Sequence, residues 1–298
     1  KFYQITKRHF YNIPEYIPLI AEFADVIGEV RDAYECAIRA AELMQNLYDF
    51  EAIIKFLKIA LHYAPSIKAD NVIPLMIKTA NLESKLGNIN ESIQLYESAL
   101  KYAKTDAENS KINYFLGLAH QTKGDYTKSI EYFNKALFSS KVKDTDYVNI
   151  LNGLGYSLMH SGKIIEAQHL LEQSLNICEN LNKDEILAKT LYLLAVLEWH
   201  RRDYDKSIEI ANRALKIAQE LKNLNLICSC YNLLASLFQQ KGNFKIAEEM
   251  YDCTIKLLEA SKEVNTLITT LINFALLVEN HGNFDKAIQL LNSALNYA

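Results

Sequence analysis

The amino-acid sequence predicts an all-α solenoid of antiparallel helix hairpins, and three observations carry that prediction. A short phrase recurs: Gly242-Asn243-Phe244 and Gly282-Asn283-Phe284 lie 40 residues apart, each followed, after two intervening residues, by an alanine, Ala247 and Ala287. Small residues stand at set distances around every copy of the phrase. Glycine (9) and proline (4) are scarce in 298 residues, whereas an all-β chain needs turn residues every ten residues or so. Ala, Leu, Ile, Lys, Glu and Asn dominate instead, and most of these favour helices.

The phrase begins at Gly28, Tyr48, Gly87, Gly124, Gly162, Arg202, Gly242 and Gly282, and from Tyr48 onward it steps by 39, 37, 38, 40, 40 and 40 residues. Five residues after each start stand Ala33, Ile53, Ser92, Ser129, Ala167, Ser207, Ala247 and Ala287. Seven further on come Ala40, Ala60, Ala99, Ala136, Ser174, Ala214, Thr254 and Ala294. Seven before each start, from the second copy onward, come Ala41, Ala80, Gly117, Gly155, Ala195, Ala235 and Ala275. Glycine followed by Asn or Asp closes one helix with a left-handed cap and opens the next. Small residues mark the places where two helix backbones approach closely. One hairpin cannot bury its apolar face alone, but stacked hairpins can.

Taken in order, the pattern predicts about fifteen helices, near 15–26, 31–46, 50–64, 71–86, 90–104, 107–123, 127–140, 144–161, 164–181, 184–201, 205–221, 224–241, 245–261, 264–281 and 285–297. Residues 1–30 form a lead-in with the first helix, and 31–298 form tandem repeats of one elongated domain. The first two turns lie only 20 residues apart, so the helix near 31–46 ends one hairpin and begins the next. A solenoid end needs a polar outer face. Yet no charged residue occurs from Ala287 to Ala298, where Ile288, Leu290, Leu291, Leu295 and Tyr297 occupy more than one face. The start is aromatic-rich, with Phe2, Tyr3, Phe10, Tyr11 and Tyr16 beside Ile17 and Leu19. Two readings stay open: these residues complete a local core, or they meet another chain or more of the same one. The chain opens at Lys1 without a methionine, so a fragment of a longer protein is expected.

The formal net charge is -4, and no basic run is longer than Lys7-Arg8-His9, so a nucleic-acid partner is not expected. No apolar stretch approaches the roughly 20 residues that span a bilayer, and no signal peptide is evident; a cytoplasmic location without a membrane partner is expected. The five cysteines lack metal-ligand spacing and read as buried thiols. No phosphate-binding glycine loop, His-Glu-x-x-His or nucleophile elbow occurs, so no catalytic residue, cofactor or metal is expected. Seven histidines are scattered, and three near helix ends read as cations set against the helix dipole. The carboxylates read as solvated charge on outer faces.

The repeat resembles the tetratricopeptide repeat. Leu151, Leu154, Gly155 and Leu158 match its first helix, Gly162, Ile164 and Ala167 its turn and second helix, and Pro65 its closing proline. The likeness covers roughly residues 15–298 and implies a right-handed superhelix. The departures are a unit of 37–40 residues against the family's usual 34, and Arg202 and Tyr48 in place of turn glycines. The stretch from Ala37 to Pro65 is similar to the start of the repeats that follow the ATPase module in MalT-like bacterial signalling ATPases and regulators.

The resemblance implies partner binding through a concave surface lined by the first helix of each hairpin. Ten residues before each turn that surface carries Ile77, Tyr114, Asn152, Tyr192, Asn232 and Ile272. Kinesin light chains, which bind peptides, carry asparagine at that position, matched by Asn152 and Asn232. The residues expected to bind a partner are Asn81, Tyr114, Gln121, Asn152, Tyr156, Met159, Tyr192, Trp199, Asn232 and Gln239. Amides pair with a peptide backbone, and Trp and Tyr are frequent hot spots. The alternative, that the aromatics pack between long helices, stays open. The Lys/Arg/Asn carboxylate clamp of chaperone adaptors is missing. The expected function is a protein or peptide interaction module, acting as the sensing arm of a multidomain signalling protein beside an ATPase or regulatory domain. A free-standing adaptor and a scaffold that self-associates through its end faces are the alternatives.

Overall fold

A computed structural model describes residues 2–47, 49–181, 183–261 and 264–297; the turn at Tyr48 and the side chain of Phe2 fall outside that description. The described residues hold sixteen α-helices, one 3₁₀ turn and no strand. The chain divides into two compact units, Lys1–Lys141 and Val142–Ala298. The first contains α1 (Phe2–Phe10), the 3₁₀ turn Pro14–Tyr16, α2 (Ile17–Ile27), α3 (Val30–Gln45), α4 (Phe50–Tyr63), α5 (Val72–Lys85), α6 (Ile89–Leu100), α7 (Asp106–Thr122) and α8 (Tyr126–Ser139). The second contains α9 (Thr145–His160), α10 (Ile164–Leu181), α11 (Asp184–His200), α12 (Tyr204–Glu220), α13 (Leu224–Gln240), α14 (Phe244–Ser261), α15 (Val264–Asn280) and α16 (Phe284–Tyr297). Within each unit, consecutive helices pack as antiparallel hairpins. Fifteen of the sixteen helices fall where the pattern places them.

The sixteenth is α1, which the sequence reading left as a lead-in. Tyr3 and Lys7, one turn apart on α1, both donate to the Asp32 carboxylate of α3, and Tyr3 and Thr6 are buried. Asp32 sits in the first turn of α3, where a negative charge also complements the helix dipole. Ile17, Ile20, Ala21 and Ala24 of α2 are fully buried, whereas Tyr16 and Leu19 stay exposed. Of the aromatic start, Tyr3 and, in part, Tyr11 join this local core. Helix α6 stops at Leu100, short of the expected 104. The next helix opens on a capping box: Thr105 accepts from the Glu108 amide, and the Glu108 carboxylate accepts from the Thr105 amide.

Each hairpin turn closes one helix and opens the next with two residues. At Gly242 (φ 78°) the Gly242 amide donates to the Gln239 carbonyl and the Asn243 amide to the Phe238 carbonyl, at 2.9 and 2.8 Å. This is the double bond of a Schellman cap. Arg202 adopts the same left-handed backbone (φ 63°) without being glycine, with the Asp203 amide donating to the Glu198 carbonyl. The next residue then caps the following helix: Asp125 accepts from the Lys128 amide at 3.1 Å and Asp203 from the Lys206 amide at 3.2 Å.

Inside the hairpins the small residues do what their spacing implies. The Ser129 hydroxyl of α8 donates to the Gly117 carbonyl of α7 at 2.8 Å, and Ser207 of α12 donates to the Ala195 carbonyl of α11 at 2.7 Å. A Cβ on Gly117 would stand 2.7 Å from the Phe133 ring, and one on Gly155 would stand 2.9 Å from Leu171. These helices touch backbone to side chain with no spare atom.

Two carboxylates depart from the expected solvated outer face. Glu83 and Glu198 are buried near the ends of α5 and α11. Glu83 pairs with Lys58 at 2.5 Å and accepts from Asn88 at 2.8 Å; Glu198 pairs with Lys206 at 2.6 Å. Burial alone would raise the Glu83 pKa, but Lys58 and Asn88 hold it below the usual carboxylate value. Of the cysteines, Cys36, Cys178, Cys228 and Cys230 are buried as expected, and Cys253 is exposed.

Gly155→Ala is expected to force Leu171 and the α9–α10 crossing apart and to lower unfolding stability by about 1–3 kcal/mol. A urea titration followed by circular dichroism reads this directly; an unchanged midpoint would show that the crossing has slack.

Candidate functional site

The first helices of the second unit, α9, α11 and α13, lie side by side, with α11 in contact with both neighbours. The two asparagines expected to face a ligand are used within this row. Asn152 is only 6% exposed: its amide nitrogen donates to Thr190 at 2.9 Å and its carbonyl accepts from Ser174 at 2.7 Å. Asn232, half-buried, donates to Thr270 of α15 at 2.9 Å. Each asparagine thus ties one first helix to the next. Asn152, buried and bonded to Thr190 and Ser174, and Met159, 2% exposed, are core residues and not part of an exposed surface. The signal was in the sequence: Thr190 and Thr270 both stand 12 residues before the next turn, one copy after an asparagine. Between these two joints the equivalent pair is Tyr192 and Cys230, where burial raises the phenol pKa and pushes the thiol up to about 12.

Toward the C-terminal ends of α9 and α11 the surface turns aromatic. The Tyr156 and His160 rings lie 4.3 Å apart, His160 and His200 5.9 Å, and His200 and Trp199 4.9 Å. This chain of four rings joins two successive first helices. Trp199 packs its half-buried indole against the core that includes Leu234 and Leu237, and its Nε1 is buried without a hydrogen-bond partner. Val196 and Gln239 are half-buried beside it in sequence register. His160 stands four residues after Tyr156 and His200 directly after Trp199, a pairing visible in the sequence only when the two copies are aligned.

In the first unit, Asn81, Tyr114 and Gln121 are each half-buried. Asn81 accepts from the Tyr96 hydroxyl at 2.6 Å, and Tyr114 lies 5.9 Å from Phe133.

The histidines at helix ends were expected to be cations. Instead, burial lowers the pKa of His120, His160 and His200, and for His200 the neighbouring His160 adds to the effect. Asp125, 3.7 Å from His120, opposes that shift without overcoming it. His160 and His200 are exposed residues, and packing against Tyr156 and Trp199 removes water from only part of each ring. No group of His, Cys, Asp and Glu among the described residues could hold a metal ion.

The sign of the pH dependence follows. The unfolded histidines take a proton near 6.5 and the folded ones only at lower pH, so the unfolded state binds more protons in between. Stability is expected to be full above 6.5 and to fall as pH drops below it. Glu83 adds a separate loss below 4.5. Urea midpoints at about pH 7.5 and about pH 5.5 test this; a flat profile, or one unchanged in His160→Gln/His200→Gln, would contradict it.

A family model described as tetratricopeptide repeat matches residues 146–220 and 226–298, and a second of the same description matches 77–142. The apo form of RapI superposes with a TM-score of 0.72 at 15% identity, covering 89% of this chain and 97% of that one. The apo quorum sensor NprR from B. thuringiensis gives 0.64 at 21% identity, over 82% and 70%. A signal transduction ATPase with numerous domains and a tetratricopeptide repeat sensor, from Pyrococcus horikoshii, gives 0.58 at 18% identity, over 93% of this chain and 45% of that one. At these identities the likeness is one of fold. No curated protein matches the chain. No described helix is long and apolar enough to cross a membrane.

Proposed function

We propose, because this chain belongs to the tetratricopeptide repeat family, that it is a protein- or peptide-binding module and serves as the sensing arm of a multidomain signalling or regulatory protein. The observation that carries the reading is the ring chain of Tyr156, His160, His200 and Trp199, with an indole N–H that has no partner. A buried donor without an acceptor costs free energy comparable to a lost hydrogen bond. A peptide laid against the ring chain would gain contact area from the rings at low entropy cost. Neutral histidines fit the same role, since each both donates and accepts. The sensor described in the Pyrococcus horikoshii ATPase, and the quorum sensor NprR, share this fold and support the sensing role. A ligand would act on an attached domain only through its differential affinity for two shapes of the array.

Peptides selected from a random library on the immobilised chain are expected to lose about 2 kcal/mol of affinity on Trp199→Ala. Calorimetry reads the loss, and circular dichroism checks that helical content is kept. Selected peptides that bind the variant at full affinity would remove Trp199 from the site.

Self-association is a second reading, favoured by α16. Nine residues after each turn stand Tyr96, Phe133, Leu171, Ala211 and Tyr251, all at most 2% exposed, but then Leu291 at 48%. Tyr96 stacks on Phe115 and Tyr251 on Phe274, each on the following first helix. Helix α16 presents the same stripe uncovered, with Phe284, Ile288 and Leu295 also exposed. Light scattering is expected to show concentration-dependent association that Leu291→Glu/Leu295→Glu abolishes; a monomer at all concentrations would end this reading.

A further inference from the structure

The hairpin of α7 and α8 departs from the repeat at four positions. Counting from each turn from Gly87 onward, the residue fifteen before it is Val72, Tyr147, Leu187, Ile227 or Leu267, but Asn109 in α7. Eleven before it stands Met76, Leu151, Leu191, Tyr231 or Leu271, but Asn113 in α7. Fifteen after it stands Tyr102, Ile177, Ile217, Leu257 or Tyr297, but Ser139 in α8. The fourth change runs the other way. Fourteen after the turn, Lys101, Asn176, Lys216, Lys256 and Asn296 have Phe138 as their counterpart.

All four line one cavity of about 520 Å³ between α7 and α8, a volume in the range of small-molecule sites. Polar side chains stand where the other hairpins place apolar bulk, and the space between the two helices stays open. The cavity lies inside one hairpin rather than along the row of first helices. Tyr114 and Gln121, at the positions assigned to the concave surface, do not line it.

The α7 side of the cavity offers acceptors. Asn113 is 7% exposed; its Nδ2 donates to the Asn109 backbone carbonyl at 2.7 Å, and its Oδ1 is buried without a hydrogen-bond partner. Such an orphaned acceptor costs free energy until a donor meets it. Asn109 likewise spends its Nδ2 on the Thr105 carbonyl, at 3.0 Å, which leaves its Oδ1 to accept. The two asparagines are one helical turn apart, with Cβ atoms roughly 5–6 Å from each other. The two N–H bonds of a single amino group, with acceptors at about 2.9 Å and about 120° apart, span oxygens about 5 Å from each other. On the α8 side, Phe138 is 92% exposed and presents a bare ring face. Glu131 and Lys135, also on the lining, pair with each other at 2.5 Å, so they add no net charge.

We propose that this cavity binds an uncharged planar heterocycle carrying an exocyclic amino group, a nucleobase of the adenine type. The amino group donates to Oδ1 of Asn109 and of Asn113. The ring nitrogens accept from the Ser139 hydroxyl and the Asn134 amide, and the base stacks on Phe138, as bases do on exposed aromatic side chains. The site goes beyond the partner-binding reading and does not depend on it.

The test uses the full chain and radiolabelled adenine in equilibrium dialysis, where saturable binding is expected. Asn113→Leu and Phe138→Lys each install a residue that other hairpins carry at that position, so both are expected to fold, and circular dichroism checks this. Each is expected to weaken binding about tenfold, the first through the lost acceptor and the second through the lost stacking platform. Purine, which lacks the amino group, is expected to compete about tenfold less well than unlabelled adenine. Trp199→Ala is expected to leave the affinity unchanged. No binding by the native chain, or unchanged affinity in either cavity variant, would overturn the proposal. Equal competition by purine would remove the amino group from recognition and overturn it. Displacement by ribose phosphate would show that sugar or phosphate is bound instead of the base, and loss of binding in Trp199→Ala would move the ligand to the ring chain; each of these overturns it as well.

Discussion

Everything else in this structure depends on the close crossing within each hairpin. Two helices come near enough that a serine hydroxyl on one reaches a backbone carbonyl on the other, and a single methyl on Gly117 or Gly155 has no room. Glycine in a helix interior costs about 1 kcal/mol relative to alanine, so its presence twice at this position needs a compensating gain. The gain is contact: Phe133 and Leu171 fill the space down to the backbone. The crossing sets the hairpin angle, and the left-handed turn fixes which faces meet. Identical hairpins then stack because each leaves the same apolar stripe uncovered.

The fold was legible because these constraints are local and repeated. The turn is written in two adjacent residues, and the crossing in small residues at fixed offsets. Arg202 shows that the signal lies in the ensemble of copies rather than in any one glycine, since its backbone takes the left-handed form regardless. What the pattern missed is what does not repeat. Helix α1 has no turn phrase and is held by a polar contact to Asp32, which no periodicity announces.

The site was less legible, for the same reason in reverse. Asparagine ten residues before a turn suits a peptide backbone and a neighbouring helix equally well; only the threonine one copy later decides between them. The histidines looked like dipole-stabilised cations because helix ends are visible in sequence and desolvation by a neighbouring helix is not.

The asparagine ties also bear on how the second unit takes up load. A directional hydrogen bond holds two helices in one register, whereas an apolar contact holds only their separation. The joints from α9 to α11 and from α13 to α15 are each pinned by an Asn–Thr bond. The joint between them rests on Tyr192 and Cys230, a phenol and a thiol that stay neutral. Joints with and without an Asn–Thr bond therefore alternate along the first helices, and Trp199 is carried on α11, one of the two helices that meet at the joint without one.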